Sequence, residues 1–278
     1  MYESFYGLNE KPFSILPDSE LIYWGRSHRL AFAMLEYGVR NNAGFTVITG
    51  DIGTGKTMLV RHLLKQIDEK LTVGLVANTA RTSRELLRWV MLALGQPHDD
   101  QSYITVYRRF QDFVVSEYNK ARRTVLIIDE AQNMSAEALE ELRMLSNINA
   151  DKHQYLQVVL VGQPQLKDLL QRPELVQFAQ RVSSDFHLKP LPEDEVTDYI
   201  YHRLYKAGCR TALFTGKACK LIAKHSRGVP RSINILADTA LVYGYSSEAK
   251  QITAEIVQAV MTDRRQYSVF SAQDAAVS

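Results

Sequence analysis

The stretch Gly50-Asp-Ile-Gly-Thr-Gly55-Lys56-Thr57 restricts what this chain can become more than any other. Its spacing is G-x-x-x-x-G-K-[ST], a pattern that has meaning only between a buried strand and a helix. Both flanks read that way. Phe45–Thr49 is a short buried strand, and Lys56–Glu69 is a helix with Leu59, Leu63, Leu64 and Ile67 along one side. Gly50, Gly53 and Gly55 let the backbone wrap closely around phosphate with its amide N–H groups turned inward. The helix N-terminus adds partial positive charge. Lys56 brings a full positive charge to the β- and γ-phosphates, and the Thr57 hydroxyl is suited to Mg²⁺. The expected nucleotide cradle is thus Gly50, Asp51, Ile52, Gly53, Thr54, Gly55, Lys56, Thr57 and Met58.

Val125-Leu-Ile-Ile-Asp129-Glu130 supplies the second part. Four apolar residues bury a strand, and two carboxylates emerge at its C-terminal end, where open parallel sheets bind ligands. Asp129 is expected to hold Mg²⁺ through water, and Glu130 to orient and deprotonate an attacking water. Nothing reads as an N-K-x-D guanine loop, so ATP is the expected nucleotide. The strand Val158–Val161 ends in Gly162-Gln163-Pro164, which puts a polar Gln163 within range of a γ-phosphate or its water. Gln180-Arg181 precedes the last strand, and Arg181 is a candidate arginine finger reaching a neighbouring copy, with Arg172 competing for that role. Gly228-Val-Pro230-Arg231 opens a later helix, whose rigid proline start would aim Arg231 at the γ-phosphate.

Between these motifs, apolar strands alternate with helices. Strands are expected at Val73–Asn78, Gln157–Val161 and Ser184–Leu188, with helices at Ser83–Gly95, Val106–Asn119, Ala136–Ile148 and Gln165–Leu170. This pattern means α/β class, a three-layer, five-stranded parallel sheet covered on both faces. The first strand and the Asp129 strand are not consecutive, in keeping with a sheet that inserts another strand between them. After Pro190-Leu-Pro192 only helical stretches follow, at about 193–207, 216–226, 230–243 and 253–264. The expected division is an N-terminal strap and helix (1–44), a P-loop core (45–190), an all-helical lid (191–267) and a disordered tail (268–278). Ser27 is the expected N-cap of the first long helix, and Tyr2, Phe5, Phe13, Tyr23 and Trp24 read as a packed strap.

Bulk properties exclude several classes. The 33 basic and 31 acidic residues nearly balance, so total charge does not mark a nucleic-acid binder. Arg81, Arg84, Arg88, Arg108 and Arg109 recur at helical spacing, a face more often solvated or used between subunits than laid on DNA. Cys209 and Cys219 match no zinc pattern and read as reduced thiols, and the seven histidines show no metal spacing. No signal peptide or membrane-length apolar run is visible, which points to the cytoplasm and leaves docking on a membrane protein open.

Taken together, the motifs resemble the ExeA/GspA-type AAA+ ATPases. The resemblance runs from Phe5-Tyr-Gly-Leu-Asn-Glu-Lys-Pro-Phe13 through Ser27-His28-Arg29, Leu126-Ile-Ile-Asp-Glu-Ala-Gln-Asn133, Glu140-Glu-Leu-Arg143, Leu145-Ser-Asn147, Val161-Gly-Gln-Pro164 and Gln177-Phe-Ala-Gln-Arg-Val182 to the Gly-Val-Pro-Arg of the lid. It implies an ATPase of secretion, pilus or exopolysaccharide-export machinery, peripheral at the inner membrane and working as a ring or filament. Met58 stands where the family has a second threonine, and Thr57 is kept. Longer members carry a membrane span and a peptidoglycan-binding module, for which this chain shows no segment. A related group of AAA+ proteins regulates transposition through ATP-dependent filaments on DNA, which makes DNA the second candidate partner.

Overall fold

A computed structural model describes residues 1–16, 18–41, 43–66, 70–77, 83–98, 102–149 and 153–267. Arg81 and the expected tail, 268–278, lie outside them. The chain opens with α1 (Tyr2–Tyr6) and α2 (Arg26–Arg40) and then alternates: β1 (Phe45–Gly50), α3 (Lys56–Gln66), β2 (Leu71–Val76), α4 (Ser83–Ala93), α5 (Tyr103–Asn119), β3 (Arg123–Ile128), α6 (Ala136–Leu145), β4 (Leu156–Gly162), α7 (Gln165–Leu170), α8 (Val176–Ala179) and β5 (Val182–Leu188). Four helices close it: α9 (Glu193–Lys206), α10 (Gly216–Ser226), α11 (Pro230–Ser246) and α12 (Ala254–Tyr267).

All five strands run parallel, in the order β2-β3-β4-β1-β5. The inserted strand is therefore β4, from later in the chain, and β2 is pushed to the edge. The pleat sends alternate residues of each strand to opposite faces. Leu126 and Ile128 of β3 pack with Leu86, Phe110, Leu139, Leu166 and Phe178 from the helices on one face. Val125 and Ile127 of the same strand pack with Leu35 of α2 and Val60 and Leu63 of α3 on the other. Burial on both faces explains why these strands are continuous apolar runs.

The chain forms two compact units, which divide it differently from the expected order. One comprises Met1–Ser27, Gly53–Gly55 and Pro190–Ser278, and the other His28–Ile52 and Lys56–Lys189. The first 44 residues are thus shared, with the strap grouped with the C-terminal helices and most of α2 with the sheet. The strap belongs there because its aromatics complete a core. Tyr2 and Phe13 are buried with Tyr199, Ile200, Phe214 and Leu241, and the Phe13 and Phe214 rings meet edge to face at 5.9 Å. Arg203 fastens the strap from below, its Nε donating to the Pro12 carbonyl at 2.6 Å. Cys209 and Cys219 are free, buried thiols of this core.

Ser27 does not cap α2, which starts one residue earlier at Arg26. The cap comes from α9. The Glu195 carboxylate accepts the Arg26 N–H at 3.1 Å and its Nε–H at 2.7 Å, so a distant residue satisfies the helix start. Gly25 makes room, since a Cβ there would fall 2.3 Å from Glu195 Oε2.

On this packing, Phe13→Ala should cost about 3–5 kcal/mol, read as a lower denaturation midpoint, whereas Ile15→Ala, 56% exposed, should leave it within about 0.5 kcal/mol. Equal effects from the two would show that the strap is not part of this core.

Candidate functional site

Parallel register decides what meets at the C-terminal edge of the sheet. Thr49 of β1 lies opposite Gly162 of β4, and Leu160 of β4 opposite Ile128 of β3. The three strands therefore hand their next residues to one place: the loop after Gly50, the pair Asp129-Glu130, and Gln163. The strand inserted between β1 and β3 is the one that carries Gln163.

The loop after β1 is held open by glycine. Gly53 (φ 82°) and Gly55 (φ 105°) occupy the left-handed region, which L side chains rarely adopt. Thr54 between them is fully buried. Lys56 is the first residue of α3, 7% exposed, with its ammonium folded back over the loop. It donates to the Gly50 carbonyl at 2.7 Å and to the Asp51 carbonyl at 3.0 Å. Burial pushes its pKa below the usual lysine value, while the charges of Glu130, Asp129 and Asp51 pull the other way. Among the described residues this ammonium is thus held by two carbonyls, beside three carboxylates.

Thr57 Oγ1 donates to Asp129 Oδ2 at 3.0 Å. The other carboxylate oxygen, Oδ1, accepts the Glu130 N–H at 2.9 Å, and the Asp129 N–H donates to the Val76 carbonyl of β2 at 3.0 Å. Asp129 is thus fixed from three sides. A hydroxyl and a carboxylate oxygen side by side, next to a buried ammonium, are hard donors of the kind Mg²⁺ takes beside substrate phosphates and waters. The residues present fit the ion: Thr57 would hold it directly and Asp129 through water. Among the described residues no cluster of three His, Cys, Asp or Glu side chains offers a metal a fuller cage.

Glu130 has φ 55°, ψ 36°, a left-handed backbone in a non-glycine residue. That costs about 1–2 kcal/mol and turns the chain sharply after β3, leaving its side chain exposed at the sheet edge. Its Oε2 accepts from Gln132 Nε2 at 2.6 Å and from Gln163 Nε2 at 3.3 Å. Gln132 closes the circuit, its Oε1 accepting the Gln163 N–H at 2.9 Å. One amide side chain thus bridges the ends of β3 and β4. Gly162 is small for this reason, since a Cβ there would lie 2.9 Å from Gln132 Oε1. Gln132 received no role from the sequence. The available signal was an amide three residues beyond Asp129, too weak without knowing that β4 is the neighbour.

The three candidate arginines are placed differently. Arg181 Nη1 donates to the Arg143 carbonyl at 3.1 Å and to Ser146 Oγ at 2.7 Å, and Nη2 to Asn147 Oδ1 at 2.7 Å. It precedes β5 and so stands at the N-terminal edge of the sheet, away from Lys56. Arg172 is exposed, with its guanidinium 3.8 Å from Glu174. Arg231 is exposed at the start of α11, and within the first unit its N–H donates to the Gly53 carbonyl at 3.2 Å. Gly53 admits that approach: a Cβ on it would sit 2.6 Å from Arg231 Cβ. Ile52 is exposed and Met58 half-buried beside the loop.

A family model described as "AAA domain" matches residues 39–170, which hold every site residue above except Arg172, Arg181 and Arg231. The chain carries an AAA domain. With it comes a P-loop AAA-type fold of five parallel strands and a helical C-terminal region. General secretion pathway protein A of Aeromonas hydrophila is 37% identical over 253 residues, 91% of this chain. The chain spans about half that relative's length, 46%. The AAA domain's fold recurs in the Aeropyrum pernix ORC2 protein (TM-score 0.65, 17% identity, 92% of this chain and 72% of that one). It recurs also in a structure titled Drosophila ORC bound to DNA (TM-score 0.64, 18% identity, 99% of this chain and 68% of that one).

The bridge through Gln132 has a direct readout. Gln132→Leu removes the acceptor of the Gln163 N–H, and that amide should exchange with solvent about tenfold faster, a loss of about 1.4 kcal/mol. Unchanged protection at Gln163 would mean that the bridge does not hold the strand end.

Proposed function

We propose that this chain binds ATP with Mg²⁺ on the Lys56 loop and hydrolyses it to drive assembly or switching of a cell-envelope secretion or exopolysaccharide-export system. The observation that carries the chemical part is the 3.0 Å hydrogen bond from Thr57 to Asp129, which sets a Mg²⁺-type donor pair against a buried lysine. The export part rests on the likeness to general secretion pathway protein A. A place in the cytoplasm, peripheral at the inner membrane, follows from the same likeness. No helix among the described residues is long and apolar enough to cross a membrane.

In this reading the N–H groups of Gly50 to Thr57 and the Lys56 ammonium bind the phosphates. Thr57 and, through water, Asp129 would hold Mg²⁺, which would supply positive charge to the phosphates. Glu130 takes a proton from water as the water oxygen attacks the γ-phosphorus in line, and the bond to the ADP oxygen breaks. Gln163 orients that water. Arg231 in cis, and Arg181 from a neighbouring copy in a ring or filament, neutralise charge in the transition state.

Two variants separate binding from chemistry. Lys56→Ala should weaken MgATP binding by about tenfold or more, measured by titration calorimetry. Glu130→Gln should bind MgATP as the wild type does and turn over on the order of 10²–10⁴ times more slowly. Undiminished phosphate release by the Glu130 variant would falsify its role as base.

A second reading is an ATP-controlled DNA-binding regulator of the transposition type. Its support is the likeness to a structure titled as DNA-bound, together with Arg88, Arg108 and Arg109, which lie exposed on α4 and α5. Phosphate contacts make binding fall steeply with salt, so a filter-retention series is decisive. ATP-stimulated retention at low salt that vanishes as salt rises favours this reading, and no retention at low salt removes it.

A further inference from the structure

Arg181 has an environment that its role as a finger does not by itself explain. Its guanidinium caps the C-terminal end of α6. The Arg143 carbonyl to which it donates lies in the last turn of that helix, one of the orphan acceptors at a helix end. Ser146, 4% exposed, is held in turn by donating to the same carbonyl at 2.6 Å. Asn147 adds the third acceptor. All three partners are neutral, and among the described residues no carboxylate lies within ion-pair distance of Arg181. Three of its five N–H groups are engaged, which leaves Nε–H and one Nη2–H unused. Arg181 also lines a cleft of ≈ 320 Å³ together with Gly44, Ser146, Asn147, Gln180 and Ser183. The cation is therefore held by three neutral acceptors, with no carboxylate paired to it among the described residues.

Strand register places Arg181 relative to its own P-loop. Val182 of β5 pairs with Phe45 of β1, and Leu188 with Gly50. Arg181 thus stands at the far end of β1 from its own P-loop, about 20 Å away at roughly 3.3 Å per residue, beyond the reach of a side chain. The geometry points to Ser146 and Asn147 as positioning residues that aim Arg181 at the γ-phosphate held by a neighbouring copy. This rests on the hydrolytic reading above. A planar fork held by three acceptors has a fixed direction that a lysine would lack, and a misplacement of about 1 Å is enough to lose on the order of 10²-fold in rate.

The test is a mixing experiment on full-length protein, with phosphate release read per subunit. Arg181→Ala alone should lose most of the turnover seen at high protein concentration, and the Ser146→Ala/Asn147→Ala double variant should fall on the order of 10²-fold. Both should bind MgATP with wild-type affinity. Each is then mixed with Glu130→Gln protein, which cannot turn over its own ATP but still offers a correctly aimed Arg181. Turnover should reappear in both mixtures, at the intact Glu130 of the variant copies. Rescue separates aiming from folding, since a collapsed double variant regains nothing from a neighbour. If Arg181→Ala retains full turnover, the trans role fails and the positioning role falls with it. If Arg181→Ala is impaired and rescued while the double variant is fully active, or impaired and not rescued, the trans role stands and the positioning role of Ser146 and Asn147 is overturned.

Discussion

The carboxylate of Asp129 is the point on which the site turns. One oxygen accepts the Thr57 hydroxyl and the other the Glu130 N–H, while its own N–H is tied to β2. A hydrogen bond to an ionised group contributes about 1.5–3 kcal/mol, and here such bonds link the start of α3 to the end of β3. Strand register brings the P-loop and the acidic pair to one edge, and this link adds a direct tie between their side chains. With it, the Thr57 hydroxyl and the Asp129 carboxylate are held 3.0 Å apart.

The same edge shows how strand order creates chemistry. β4 lies between β1 and β3, so its last residues fall between the loop after β1 and the Asp129-Glu130 pair. Gln163 owes its place to that insertion, as does Gln132, whose amide spans from Glu130 to the Gln163 backbone. The strained backbone at Glu130 belongs to the same design. A left-handed residue directly after a buried strand costs energy, and the neighbouring amides hold its carboxylate in place.

The other edge of the sheet holds a different polar cluster. Arg181 sits at the strand starts, held by the end of α6. Cradle and arginine thus occupy opposite ends of β1.

Much of this was written in the sequence. The glycine spacing, the four apolar residues before Asp129 and the alternation of strand and helix are local patterns, so the P-loop, the acidic pair, the parallel sheet and the helical C-terminal region are legible from neighbours in the chain. What tertiary structure decided involves partners far apart in sequence. The N-cap of α2 is Glu195, about 170 residues from Ser27, the local candidate, because a buried carboxylate that also pairs with Arg26 satisfies the helix start better than a serine already inside it. The strap joined the C-terminal helices because Phe13 fits against Phe214, a match of shape with no periodic trace. Gln132 and Ser146 could not be singled out for the same reason: a hydrogen bond needs distance and angle, and sequence specifies those only within a turn or a helix, not between strands whose order it leaves open.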